Sequence, residues 1–388
     1  MVPPDAVAEA PPLRLRRRLA GIGAGVGAVL LFLVLQGRPE VAERLLAQGI
    51  LPAFRRSLSL MTALVPFSLA ELVVLVVLGL LVVGAVRGVR QVRRGQDRLP
   101  RTLLRGALRL GHDVGILVAL LVVLWGVQHT RPGLEDRLGI QMAGEVGVEE
   151  IEPLAAAAVR SANRFYREIH GSRDAGAPTP APPRREIRHE LDRAWERVVA
   201  HYRLPPRATL SHGTPKAFLS TPLVRRFGIS GMYFPFTGEA LLLADLPGVL
   251  MPKEMAHEMA HQRGFASESD ANVLAFLVGR EAADPRIRYA AYVFLQRQLL
   301  SALAELDRER AVAVAAERHP GVRRDLQDRE RYWEVARGWT RDVGVGLNHA
   351  MLRAHGVPEG IASYRGSTWV FVALAREEGV EALLPPEV

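Results

Sequence analysis

Residues 251–277 read MPKEMAHEMAHQRGFASESDANVLAFL. Pro252 suits the first turn of a helix, where a missing N–H costs nothing. Gly264 suits the position just past a helix end, where the backbone turns left-handed. The pattern predicts a helix over 252–263, about three turns long. His257 and His261 fall one turn apart on one face of it, and Glu258 directly follows the first. Ser267 is a good N-cap, and Asp270 three residues on makes a loose capping box, so a second helix is predicted from Glu268. Glu268 and Asn272 are i and i+4 on one face of that helix. Ala275 and Gly279 continue the face with little bulk, which lets the second helix pack closely on the first.

Two imidazoles at i and i+4 grip one zinc ion at roughly 2.0–2.1 Å. Glu268 supplies a third ligand, and Asn272 is expected to hold the N–H of a ligating histidine and so fix its tautomer. Asp270 points away by about 200° of helical rotation. We therefore expect one Zn2+ per chain on His257, His261 and Glu268, with Glu258 as the catalytic base for the water it activates. A lone His–His pair on a helix is more often structural. Here the ligands, the base and Asn272 all fall between residues 257 and 272. An oxyanion donor is also needed, with Tyr233, Tyr364, His349 and His355 as candidates. Glu239 joins Tyr233 and Tyr364 as a possible substrate contact. Ligand type alone does not separate zinc from other divalent ions.

Outward from this stretch, residues 207–246 change character. RATLSH, KAFLS, GISGMYFPF and GEALLLADL are short runs of strand formers separated by Gly, Pro and Thr. They predict a small, mostly antiparallel sheet. Residues 241–244 are expected to be its edge strand, along which an extended substrate lies by strand addition. The aromatics around Pro235 fit substrate contact, core or a bilayer surface equally. Residues 149–170 and 186–203 have helical spacing, and GSRDAGAPTPAPPRR (171–185) between them reads as a linker or exposed loop. From 252 the chain reads helical to about 379, with breaks at Pro285, at His319-Pro320 and at 356–358.

The N-terminal third is different. Three apolar runs, at about 19–35, 67–86 and 110–128, approach the roughly 20 residues a bilayer-spanning helix needs. The first lacks a clean cleavage site and reads as an anchor rather than a signal sequence. Residues 1–130 hold 16 Arg against 7 acids, whereas residues 131–388 hold 34 Arg and Lys against 34 acids. The whole excess of +9 thus belongs to the anchor, which argues against a basic nucleic-acid-binding domain. Arginines before the first run and between the second and third should be cytoplasmic. That places the loop 38–66 and the domain 131–388 outside the cytoplasm. The chain has no cysteine, so neither disulfides nor thiolate chemistry enter.

The fold expected is mainly helical α+β: three N-terminal transmembrane helices, then a zincin-like extracytoplasmic domain with a small antiparallel sheet. H-E-x-x-H at 257–261 with E-x-x-A-N at 268–272 resembles the gluzincin branch of zinc metallopeptidases. The whole chain resembles the bacterial domain-of-unknown-function family numbered 3810. PFSLAEL (66–72), GISGMYFPFTGEA (228–240), HEMAHQRGFASESDAN (257–272) and LNHAMLRAHGVPEGIASYRG (347–366) carry that resemblance. It implies a membrane-anchored, metallopeptidase-like ectodomain and no particular substrate.

The first function expected is a zinc endopeptidase tethered to the lipid bilayer and acting on protein or peptide substrates of the cell envelope. The second is a non-catalytic zinc-binding receptor or scaffold. Glu258 favours the first, because a structural zinc site has no use for a carboxylate there. Peptidoglycan amide hydrolysis shares the same chemistry. Intramembrane proteolysis does not fit, since His257 lies about 130 residues beyond the last apolar run.

Overall fold

The computed structural model describes residues 14–44, 49–141, 146–172, 174–354 and 366–385. Three helices are long and apolar enough to cross a membrane: α1 (Leu15–Gln36), α4 (Leu69–Arg93) and α5 (Leu99–Leu124). Two shorter helices, α2 (Pro39–Ala42) and α3 (Ile50–Ala63), lie between the first and second. The Arg-rich segment between the second and third is not a long loop. Helix α4 runs through Arg93 and α5 starts at Leu99, because the arginines are good helix formers and only 94–98 turn. The third helix starts earlier than expected and ends at Leu124, where a 3-10 turn (Gly126–Thr130) takes over.

The glycines of the first run have a packing role. A Cβ on Gly25 would lie 2.8 Å from Gly115 Cα, and one on Gly115 would strike the Gly21 carbonyl. Helices α1 and α5 thus cross backbone to backbone, as small-x-x-x-small pairs allow in a membrane.

The C-terminal part begins with α6 (Leu134–Leu138), α7 (Val148–His170) and α8 (Arg184–His201). Then come β1 (Lys216–Ala217), α9 (Thr221–Arg226), β2 (Gly231–Phe234) and β3 (Glu239–Leu242). Seven helices complete the described chain: α10 (Met251–Gln262), α11 (Glu268–Arg280), α12 (Pro285–Leu306), α13 (Arg308–Ala316), α14 (Pro320–Trp333), α15 (Trp339–Ala354) and α16 (Gly366–Glu378). The architecture is mainly helical α+β. One apolar core, with Phe165, Trp195, Phe276, Tyr292 and Phe371 fully buried, joins α7, α8, α10, α11, α12 and α16.

Two expectations about this part need correction. The sheet is mixed, with β1 parallel and β2 antiparallel to β3. Its order is β1-β3-β2, so residues 241–242 lie in the central strand and the edge beside the site belongs to β2. Strand β3 has β1 on one edge and β2 on the other, and with α10 and α3 packed against it, it is buried at all four positions. The Pro-rich segment 171–185 is also no free linker. Thr179 is buried, and its N–H and Oγ1 both donate to Asp325, at 2.8 and 2.6 Å.

Helix α3 lies within the segment 38–66, expected as a loop. Arg55, Ser59 and Thr62 face the protein. Ser59 Oγ donates to the Gly238 carbonyl at 2.6 Å and Thr62 Oγ1 to the Thr237 carbonyl at 3.1 Å. Helix α3 and the C-terminal domain therefore lie at the same end of the three long helices.

Candidate metal centre

Helix α10 starts with Pro252 in its first turn and closes in a Schellman turn. The Gly264 N–H reaches the His261 carbonyl at 2.9 Å and the Phe265 N–H reaches Ala260 at 3.2 Å. Gly264 takes φ +93, and a Cβ there would strike the Arg55 guanidinium. This tight reversal makes the short link to α11 feasible. Ser267 caps α11, accepting from the Asp270 N–H at 3.3 Å.

The reversal brings His257, His261 and Glu268 together. One ligand atom from each lies within 4.8 Å of the others. His257 Nε2 is 3.1 Å and His261 Nε2 3.7 Å from Glu268 Oε2. His261 Nδ1 donates to the Phe265 carbonyl at 2.7 Å, which leaves Nε2 as the atom offered to the cluster. That partner was expected to be Asn272. Asn272 is buried, but it makes no hydrogen bond to either imidazole. The backbone of the Schellman turn reaches Nδ1 first.

Electrostatics match a cation site. Burial opposes charge on Glu268, yet the two imidazoles hold its carboxyl well below the usual range. Burial pulls His261 down, but Glu268 outweighs it and raises the imidazole to about 9. Burial, reinforced by Lys253, lowers His257. Two neutral-capable imidazoles and one carboxylate are a zinc donor set, so the residues fit the group.

Glu258 is buried beside the triad. Burial pushes its carboxyl up to about 8, against the pull of His261. Its Oε2 has no hydrogen-bond partner among the described residues, nor does His257 Nδ1. The other oxygen lies against β2: a Cβ on Gly231 would sit 2.5 Å from Glu258 Oε1. Gly231 was not singled out in the sequence. Its signal was a glycine inside a strand pattern, which marks a close approach.

Tyr233 is two residues along, on the same face of β2. Its ring meets Trp125 at 5.1 Å, and Trp125 meets the His261 imidazole edge-on at 5.4 Å. The Tyr233 hydroxyl is buried without a partner among the described residues, and burial raises it to about 12, against Arg55. Arg55 itself escaped the sequence reading. It is 2% exposed, its Nε and one terminal nitrogen lack partners, and no residue near it in the chain advertises its burial.

Glu239 is used elsewhere. Its carboxylate accepts from the Leu69 and Ala70 N–H groups at 3.1 and 2.7 Å, from Lys216 Nζ at 2.5 Å and from Thr237 Oγ1 at 2.7 Å. It caps the N-terminus of α4, where the helix dipole favours an anion. His349 sits on α15. Tyr364 and His355 lie outside the described residues.

A helical α+β protein with three candidate spans and a buried His/His/Glu cluster is the class these observations define. The chain matches the family described as protein of unknown function (DUF3810) over residues 47–370, and it belongs to that family. No curated protein and no solved structure matches the chain.

Proposed function

We propose that the protein is a membrane-anchored zinc metallopeptidase. The observation that carries this reading is the convergence of His257, His261 and Glu268 with a buried, unpartnered Glu258 oxygen beside them. Zinc held by the triad would lower the pKa of a water to about 7 and polarise a peptide carbonyl. Glu258 takes the proton from the attacking water and returns it to the leaving amine. The edge strand β2 offers free backbone groups to an extended peptide, directly over Glu258. Tyr233, kept neutral, donates to the oxyanion. The arginine distribution supports a cytoplasmic turn at 94–98 and an extracytoplasmic C-terminal domain.

The test is metal content and turnover of the full chain, purified in detergent without chelator. Wild type should carry one zinc per chain, and His261→Ala none. Glu258→Gln should keep the zinc and lose peptide hydrolysis. Tyr233→Phe should keep the zinc and lose roughly 10²-fold in kcat. A folded wild type that stays empty when zinc is supplied would refute the reading. A zinc-loaded chain indifferent to Glu258→Gln would leave a zinc-binding scaffold.

A further inference from the structure

Helix α3 is amphipathic the wrong way round for a soluble protein. Arg55, Ser59 and Thr62, one helical face, are buried against the domain. The opposite face shows Leu60, Met61 (67% exposed) and Leu64 (86% exposed) outward. In water a helix buries its apolar side, so an outward apolar face needs an apolar partner. The patch extends beyond α3. Leu219 and Leu223, 62% and 57% exposed, flank the start of α9. The Leu219 and Ser220 N–H groups donate to Glu71, at 2.7 and 2.8 Å. Glu71 is in the first turn of α4, so Leu219 lies at the level where that long apolar helix begins.

The metal centre lies at this level too. Trp125 directly follows the last residue of α5, and its ring is 5.4 Å from that of His261. Leu121, in the last turn of α5, packs on the cluster of Trp125, Tyr233 and Ala266. Tryptophan favours the membrane–water boundary. The wall of the site is thus built on the end of the long apolar helix α5, with Trp125 about one turn past Leu121.

We propose that the lipid bilayer covers the α3–α9 face, so that the metal centre opens at the membrane surface and its substrates are membrane-tethered polypeptides, cut beside their anchors. The occupant follows from continuity: the face is joined to α4 through Leu64 and Phe67 and shares its depth with the ends of α4 and α5. The substrate class rests on the peptidase reading above, but the depth of the face does not. Met232, 40% exposed, is on the edge strand β2 with its side chain on the face away from Gly231, so it reports the depth of that edge.

The absence of cysteine makes the test direct. Met61→Cys, Leu219→Cys, Met232→Cys and the control Val312→Cys are each labelled with bimane on the full chain. The chains are reconstituted in phosphatidylcholine/phosphatidylglycerol vesicles, and quenching by doxyl-labelled lipid is compared with quenching by aqueous iodide. Labels at 61, 219 and 232 should lose emission to the doxyl lipid and resist iodide, and the label at 312 should do the reverse. Iodide quenching at 61 and 219 overturns the proposal. Protection from both quenchers there also overturns it, by assigning the face to a protein partner. Lipid contact at 61 and 219 with iodide quenching at 232 overturns the substrate class, because the edge strand to which the substrate would add then lies out in water. No turnover is read, so failure of the peptidase reading is seen separately, in zinc content.

Discussion

The Phe265 carbonyl takes the Nδ1 proton of His261 at 2.7 Å, and the turn that ends α10 is what delivers it. One backbone device therefore does three things. It stops the helix, aims the His261 imidazole, and starts the short path to Glu268. Gly264 is its pivot. Alanine there would hold a left-handed φ and press on Arg55. Gly264→Ala should cost about 1–3 kcal/mol, read as a lower unfolding midpoint, and should lower zinc per folded chain. An alanine variant with unchanged midpoint and zinc would contradict this role.

Gly231 separates metal binding from catalysis. A methyl group there collides with the Glu258 carboxylate. Gly231→Ala should leave zinc content intact and depress peptide hydrolysis, through kcat more than KM. Equal zinc and equal kcat would show that Glu258 has room to move.

Glu239 makes the opposite prediction. It is bound by two backbone N–H groups of α4, a hydroxyl and the Lys216 ammonium, whose side chain is 9% exposed. Glu239→Ala leaves that cation buried and unpaired, which costs on the order of 3–5 kcal/mol. Folded yield and midpoint in detergent should drop, while zinc per folded chain stays at the wild-type level. A stable variant with only a raised KM would instead make Glu239 a substrate contact.

Glu43 ties the anchor to the domain. Arg137 and Arg131 donate to it, at 2.6 and 2.8 Å, and Arg131 also donates to the Gly264 carbonyl at 3.0 Å. Burial opposes its charge, but the two arginines hold the carboxyl at about 2. A carboxyl with a lowered folded pKa stabilises above its unfolded value, and that contribution fades as pH falls toward the folded one. Glu43→Gln should therefore be less stable than wild type near neutrality. The difference should close as pH falls from about 4.5 to about 2, in unfolding midpoints measured side by side. A gap that persists at the acid end would show that the charge is not what matters.

Much of the centre is local, and local patterns are readable. The i, i+4 spacing of His257 and His261, Pro252 in the first turn, Gly264 past the end and the Ser267 cap each act within one or two turns of backbone. The apolar runs are legible for the same reason: crossing a bilayer depends on composition over about 20 residues. The amino-acid sequence alone thus determined the helix pair, the three long apolar helices and the meeting of His257, His261 and Glu268. The tertiary structure decided the rest. It placed β2 rather than residues 241–244 at the sheet edge, because β1 pairs with β3 from 25 residues away in register. It turned Glu239 from a possible site residue into the cap of α4, across a separation of 169 residues. It gave the polar side of α3 to the protein and its apolar side to the outside. Each of these outcomes depends on which distant backbone groups arrive beside a side chain, and no short window of sequence contains that information.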